Sequence, residues 1–78
     1  MSNINALCKQ LVEHVNNGDL MTALDFFESS MLPYHSKMSP EENQTLYKLI
    51  TQLDTTVEGE DWNESLEVVD KIAENLDG

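Results

Sequence analysis

Residues 58–78 read EGEDWNESLEVVDKIAENLDG, and this stretch predicts the architecture of the whole chain. Gly59 ends one helix, because glycine readily adopts the left-handed conformation that closes a helix. Asp61 and Glu64 form a capping-box pair that starts the next helix. The apolar residues of that helix recur at intervals of three and four, and they are Trp62, Leu66, Val69, Ile72, Ala73 and Leu76. This spacing puts them on one face, so we predict a helix–turn–helix junction whose second helix buries that face.

Helical spacing of apolar residues also extends through the first two thirds of the chain. Gly18 is a stop for the first helix, Asp19 caps the second, and Pro33 ends it. Residues 33–38 have no periodicity and are predicted to form a loop, after which SPEE at 39–42 starts the third helix with a capping box. We therefore predict an all-α fold of four helices, arranged as two antiparallel helical hairpins in a small single-domain bundle. The predicted bounds are 3–32 for hairpin one, 33–38 for the loop and 39–77 for hairpin two.

The two predicted hairpins contain similar stretches of sequence, which we call the internal repeat. Residues 17–27 read NGDLMTALDFF and residues 58–69 read EGEDWNESLEVV; the second string carries one extra residue. Each has a glycine, an aspartate that can cap, and a small residue followed by leucine. The strings resemble the helix–turn–helix junction of tetratricopeptide-type repeats, in which a GDYxxAL-like string opens the second helix. The glycines lie 41 residues apart, against roughly 34 in that family. The resemblance implies paired antiparallel hairpins of a kind that generally binds proteins or peptides.

Charge is the outlying property of the composition. The 78 residues carry 15 acids, four lysines and no arginine, for a net charge of −11. Direct binding to nucleic acid or to an anionic membrane needs clustered Lys and Arg, so this balance argues against both. The natural complement is a partner protein with a strongly basic surface.

The single cysteine, Cys8, has no partner for an internal disulfide, which favours a reducing compartment. No apolar run approaches the roughly 20 residues that a membrane span needs. The first ten residues, MSNINALCKQ, lack the basic start and apolar core of a secretory signal. We therefore predict a cytoplasmic protein.

Residues suited to catalysis or metal binding are few and scattered. Cys8 lies on the apolar face of the first helix and is interpreted as a small buried hydrophobe. His14, six residues later, faces a different direction on the same helix, and His35 lies in the predicted loop. No zinc spacing, calcium-binding loop or glycine-rich phosphate loop occurs in the chain. We therefore predict no enzymatic activity, no catalytic residues, no cofactor and no metal.

Acidic residues concentrate in the last 25 residues, where nine acids and one lysine contribute a net −8. On a helical wheel, acids at spacings of three and four occupy the arc opposite the apolar face. Like charges at such spacings repel, so local stability alone does not favour them. The residues predicted to contact a partner are Glu60, Asp61, Glu64, Glu67, Asp70 and Glu74.

Three interpretations of this acidity remain open. It is an ordinary solvated face, it docks on a basic protein surface, or it mimics nucleic acid, since a carboxylate-lined helix imitates the charge density of DNA phosphates. In size and composition the chain resembles small acidic proteins of phages and mobile elements that block nucleic-acid-binding complexes. We favour stoichiometric binding of a protein with a basic surface, as inhibitor or adaptor, without catalysis.

A second candidate surface is apolar, around the end of helix two and the loop. Methionines and aromatic residues suit adaptable recognition when exposed, although such residues are more often core. If exposed, they favour the alternative of a homodimer or an assembly protein. The residues are Phe26, Met31, Tyr34 and Met38.

Overall fold

The computed structural model describes residues 3–76, and within them the chain is helical with no strand. The helices are α1 (Asn3–Asn16), α2 (Leu20–Phe26), α3 (Leu32–Lys37), α4 (Gln44–Glu58) and α5 (Trp62–Glu74). A π-helical segment, Phe27–Met31, joins α2 to α3, so residues 20–37 form one continuous helix. Four long helices therefore make up the described part of the chain, which confirms the predicted all-α fold.

Two helical hairpins share one core. In hairpin one, α1 packs against α2 and the π-helical segment; in hairpin two, α4 packs against α5. α1 also packs against α5, and this contact joins the hairpins. The core collects apolar side chains from every helix except α3, with Met38 added just after α3. Its most deeply buried large side chains are Phe27, Ile4, Met31, Leu46, Ile50, Ile72 and Val68.

Both predicted helix–helix turns are confirmed, with two corrections at the second. Gly18 has a φ of 78°, and the Asp19 side chain accepts a hydrogen bond from the Thr22 amide at 3.2 Å. At the second junction the Asp61 side chain accepts from the Glu64 amide, also at 3.2 Å. These contacts satisfy amide groups that the first turn of a helix leaves without a partner.

In the second turn, Gly59 has a φ of −79° and is not left-handed. The Asp61 amide donates to the Thr56 carbonyl oxygen at 2.9 Å, so Asp61 caps α5 without a reciprocal capping box.

The boundary between the hairpins was predicted wrongly, because the helix continues through Pro33 to Lys37. The Leu32 amide donates to the Phe27 carbonyl, five residues back, and this wider π turn precedes the proline. Pro33 then occupies the first turn of α3, where its missing N–H costs little. The predicted loop at 33–38 is therefore mostly helix.

The predicted capping box at 39–42 is also wrong. Ser39 accepts the Glu41 amide at 3.3 Å and closes only a turn, while Asn43 caps α4 by accepting the Leu46 amide at 3.1 Å. Glu42 instead accepts a hydrogen bond from the Tyr34 hydroxyl at 2.9 Å, and this contact raises the pKa of Tyr34. The second hairpin therefore begins at Asn43 rather than Ser39, and residue 77 of its predicted range lies outside the described residues.

The internal repeat is more regular in the structure than in the sequence, because equivalent residues of the two hairpins lie 42 positions apart. Gly18 and Glu60 both have positive φ, 78° and 55°. Their amides donate to the carbonyl oxygens of Val15 and Val57, at 3.0 and 3.1 Å. The equivalent of Gly18 is thus Glu60, not Gly59, which explains the extra residue in the second string. Beyond Phe27 and Val69, equivalent residues lie 41 positions apart, because the next pair of buried residues is Met31 and Ile72. The π-helical segment therefore accommodates one additional residue in hairpin one.

Glu60→Gly is expected to raise the free energy of unfolding by about 0.5–1 kcal/mol, because a residue with a Cβ is strained in the left-handed conformation and glycine is not. Gly18→Ala is the reciprocal test and should lower it by about 1 kcal/mol, although no atom lies within 4 Å of the added Cβ. Urea denaturation followed by circular dichroism measures both. If both substitutions raised, or both lowered, the free energy of unfolding, the two positions would not be equivalent.

Candidate protein-binding site

The six acidic residues predicted to contact a partner are all exposed, on α5 and the turn before it. We call them the acidic face: Glu60, Asp61, Glu64, Glu67, Asp70 and Glu74. The Asp61 carboxylate caps α5, so part of its role is structural. Within residues 3–76, the other five carboxylates make no side-chain hydrogen bond or ion pair. Their charge is therefore compensated by solvent and not by the fold.

An apolar groove, which the sequence analysis missed, lies between the two hairpins. Its volume is about 260 Å³. Six positions from each hairpin line it, and each position in hairpin one has its counterpart 42 residues later. The pairs are Leu11 and Leu53, Val15 and Val57, Leu20 and Trp62, Ala23 and Ser65, Leu24 and Leu66, and Phe27 and Val69. The groove is thus a product of the internal repeat.

The floor and the mouth of the groove differ in exposure. Leu11, Phe27 and Leu53 belong to the buried core. By contrast, Leu20 is 48% exposed, Trp62 46% and Leu66 40%. Leu20 begins α2, and Trp62 and Leu66 lie at the start of α5. The mouth is therefore a partly uncovered apolar surface to which both hairpins contribute.

Trp62 and Leu66 were predicted to belong to the buried apolar face of α5. The prediction was only partly right, because the buried side of α5 is rotated toward Ser65 and Val68. Val69 and Ile72 are buried as predicted, while Trp62 and Leu66 lie at the uncovered edge. The sequence signal that could have pointed to these exposed positions was the internal repeat, because it aligns Leu20 and Leu24 with Trp62 and Leu66.

Ser65 is the one polar side chain lining the groove, at the position where hairpin one has Ala23. Its hydroxyl lies 2.8 Å from Thr56 Oγ1 and 2.9 Å from the Asp61 carbonyl oxygen, and donates to these neighbours. Thr56 in turn donates to the Leu53 carbonyl oxygen at 3.0 Å. Because the Ser65 hydroxyl is engaged by the protein, the groove offers contact to apolar groups.

Acids neighbour the residues of the groove mouth along the chain, at equivalent positions of both hairpins. Asp19 and Asp61 directly precede Leu20 and Trp62, while Glu28 and Asp70 follow Leu24 and Leu66 by one helical turn. All four acids are exposed. We call this set the acidic rim: Asp19, Glu28, Asp61 and Asp70. Hydrogen bonds from Thr22 lower the pKa of Asp19, which keeps that carboxyl charged.

Residues 16–28 and 58–70 contain nine acids and neither lysine nor arginine. Asp61 and Asp70 belong to both the acidic face and the acidic rim, so the negative charge of α5 extends from its solvent side to the edge of the apolar groove. This arrangement combines a place for apolar side chains with a field that attracts cations.

The alternative apolar patch does not form an exposed surface. Met31 and Met38 are buried in the core, and Phe26 and Tyr34 are partly buried against it. The reason is the continuation of the helix through Pro33, which directs these residues along one core-facing side instead of into a loop. Of the apolar residues near this segment, Met21 is the exposed one, at 82%.

The cysteine and the histidines occupy separate environments. Cys8 is fully buried among apolar side chains, and this burial raises the pKa of its thiol to about 12. His14 contacts the Phe26 ring, with centroids 5.6 Å apart. His35 stacks on Tyr47 at 4.2 Å and lies 3.2 Å from the Thr51 hydroxyl. Each of the three is thus held by packing contacts.

Comparison of the chain with protein-family models, curated proteins and solved structures gives no match. Among residues 3–76, no group of three or more His, Cys, Asp or Glu side chains is arranged to hold a metal ion. In the same range, every helix is too short or too polar to span a bilayer.

Proposed function

We propose that this chain is a non-enzymatic protein that binds another protein by docking its acidic face on a basic surface. The observation that carries the proposal is the exposure of all six carboxylates, five of which have no side-chain partner within residues 3–76. Repulsion between like charges at spacings of three and four weakens a helix by a few tenths of a kcal/mol per pair. A basic partner surface removes that repulsion on binding.

The acidic face suits rapid association. Its residues stand on α5 and the turn that precedes it, and the Asp61 cap holds the start of the helix. Preformed charge of one sign accelerates encounter with a basic partner, and salt slows it. The mechanism is occupancy: the bound chain covers the basic surface, as an inhibitor does, or bridges it to another component, as an adaptor does.

Mimicry of nucleic acid is the more specific form of the same proposal. It applies when the basic surface is one that otherwise binds DNA or RNA phosphates. Carboxylates on a rigid helix then compete with phosphates for the same Lys and Arg side chains.

The immobilised chain, incubated with a cell lysate at about 50 mM salt, is expected to capture a basic protein that a salt gradient releases. Mass spectrometry identifies the partner, and the purified partner is then titrated at several salt concentrations. Affinity should fall by at least about tenfold between 50 and 200 mM salt. Competition by duplex DNA or by RNA would distinguish mimicry from other basic-surface binding. An affinity that is independent of salt would contradict the proposal.

A further inference from the structure

The apolar groove and the acidic rim occur at the same place, and together they specify one kind of ligand. We propose that the groove binds an amphipathic helix of the partner, with its apolar side chains in the groove and its Lys or Arg side chains against the acidic rim. This inference rests on the proposed function and names the part of the partner that is recognised.

The size of the groove limits what it holds. Its volume is about 260 Å³, and a cavity of roughly 150 Å³ accommodates a benzene-sized group. About two apolar side chains therefore fit, as presented by residues one helical turn apart on an amphipathic helix. The volume is below the roughly 300–1,000 Å³ typical of small-molecule sites, which also carry convergent polar groups. Here the single polar side chain, Ser65, is already hydrogen-bonded within the protein.

The mouth supplies the contacts for the edges of such a helix. Leu20 and Trp62 face it from the two hairpins, and Leu66 extends it along α5. Each is between 40% and 48% exposed, so each has apolar surface left to bury. A half-exposed tryptophan next to a preformed apolar depression is typical of a binding hot spot.

Charge selects the occupant. The four acidic rim residues directly precede, or follow by one helical turn, residues that line the groove, and residues 16–28 and 58–70 contain no base. A helix with cations flanking its apolar stripe matches this pattern, as basic amphipathic helices do in other helix-in-groove complexes. A second copy of the chain does not, because it would bring a net charge of −11 against another −11 and rim against rim.

The test uses two synthetic peptides of about five helical turns each. One has leucines at i, i+3, i+4 and i+7 with lysines elsewhere, and the other has the same composition in an order without an apolar face. Both lack aromatic residues, so the emission of Trp62, the single tryptophan, reports the groove directly. The amphipathic peptide is expected to bind at least about tenfold more tightly and to shift the emission to shorter wavelength. Binding of both peptides should weaken with added salt.

Leu20→Ser removes an apolar contact at the mouth and should lower the affinity for the amphipathic peptide by about tenfold. It should leave the binding of the scrambled peptide unchanged. Met21→Ser is the matched control, since Met21 is the neighbouring residue, is 82% exposed and does not line the groove. Circular dichroism verifies that both variants retain their helices.

Three outcomes overturn the inference, and they differ in what they leave standing. Equal, salt-sensitive binding of the two peptides, with no change in Trp62 emission, rejects the groove while the acidic face remains a binding surface. Tighter binding of the amphipathic peptide that is indifferent to salt rejects the basic occupant and the proposed function together. Sedimentation as a dimer that Leu20→Ser dissociates assigns the groove to a second copy of the chain.

Discussion

Phe27→Ala is expected to lower the free energy of unfolding by about 3–5 kcal/mol, the largest effect of any single substitution considered for this protein. Phe27 is almost completely buried, at the floor of the apolar groove and at the start of the π-helical segment. A chain of this length has a total stability of roughly 4–12 kcal/mol. Loss of the ring therefore removes between about a quarter and all of it, and part of the population unfolds at 37 °C.

Urea denaturation monitored by circular dichroism at 25 °C measures this loss. Val69→Ala, at the equivalent position of hairpin two, removes less volume and should cost about 2 kcal/mol. Met21→Ala is the surface control and should change the stability by no more than about 0.5 kcal/mol. If Phe27→Ala has no larger effect than Met21→Ala, then Phe27 does not belong to the core.

Simultaneous reversal of three charges, Glu64→Lys, Glu67→Lys and Asp70→Lys, is expected to weaken binding to the captured partner by at least about 100-fold. Juxtaposed like charges across an interface cost several kcal/mol, and here lysines would face a basic surface. The fold should survive, because all three side chains are exposed and none accepts a side-chain hydrogen bond. A new pair of opposite charge between position 70 and Glu74, four residues later on α5, offsets part of the lost interaction of Glu64 with the helix dipole.

The matched control reverses three exposed acids outside the acidic face and the acidic rim: Glu13, Asp25 and Glu41. Each reversal adds two charge units, so both triple variants change the net charge from −11 to −5. Isothermal titration calorimetry with the purified partner compares them, and circular dichroism checks their helicity. Equal losses of affinity in the two variants would mean that total charge, and not the acidic face, drives binding.

Local signals were sufficient for the turn within each hairpin. Asp19 and Asp61 cap their helices as predicted, because a cap depends on a side chain and an amide three residues away. Helical periodicity also identified the buried sides of α1 and α4, whereas on α5 it left out the buried Ser65 and Val68. By contrast, Ser39 and Asn43 are comparable capping residues in the sequence, and the chain uses Asn43.

The candidate site was predictable only in part. The exposure of the acidic face follows from its position on the wheel opposite the apolar residues, and the structure places all six residues there at the surface. The groove was not predictable in the same way, because Trp62 and Leu66 belong to the same apolar pattern as the buried Val69 and Ile72. A wheel gives the direction of a side chain but not whether another helix covers it.

By itself, the sequence determined that this protein is all-α, where the two helices of each hairpin turn, and that the second hairpin carries an exposed acidic surface. These properties depend on capping, helical periodicity and charge, which act over a few residues. The tertiary structure alone decided that the helix passes through Pro33 by means of a π turn, that Met31 and Met38 are core, and that a groove opens between the hairpins. The physical reason is that burial depends on the distance between helices, and that distance is set by packing of residues far apart in the chain.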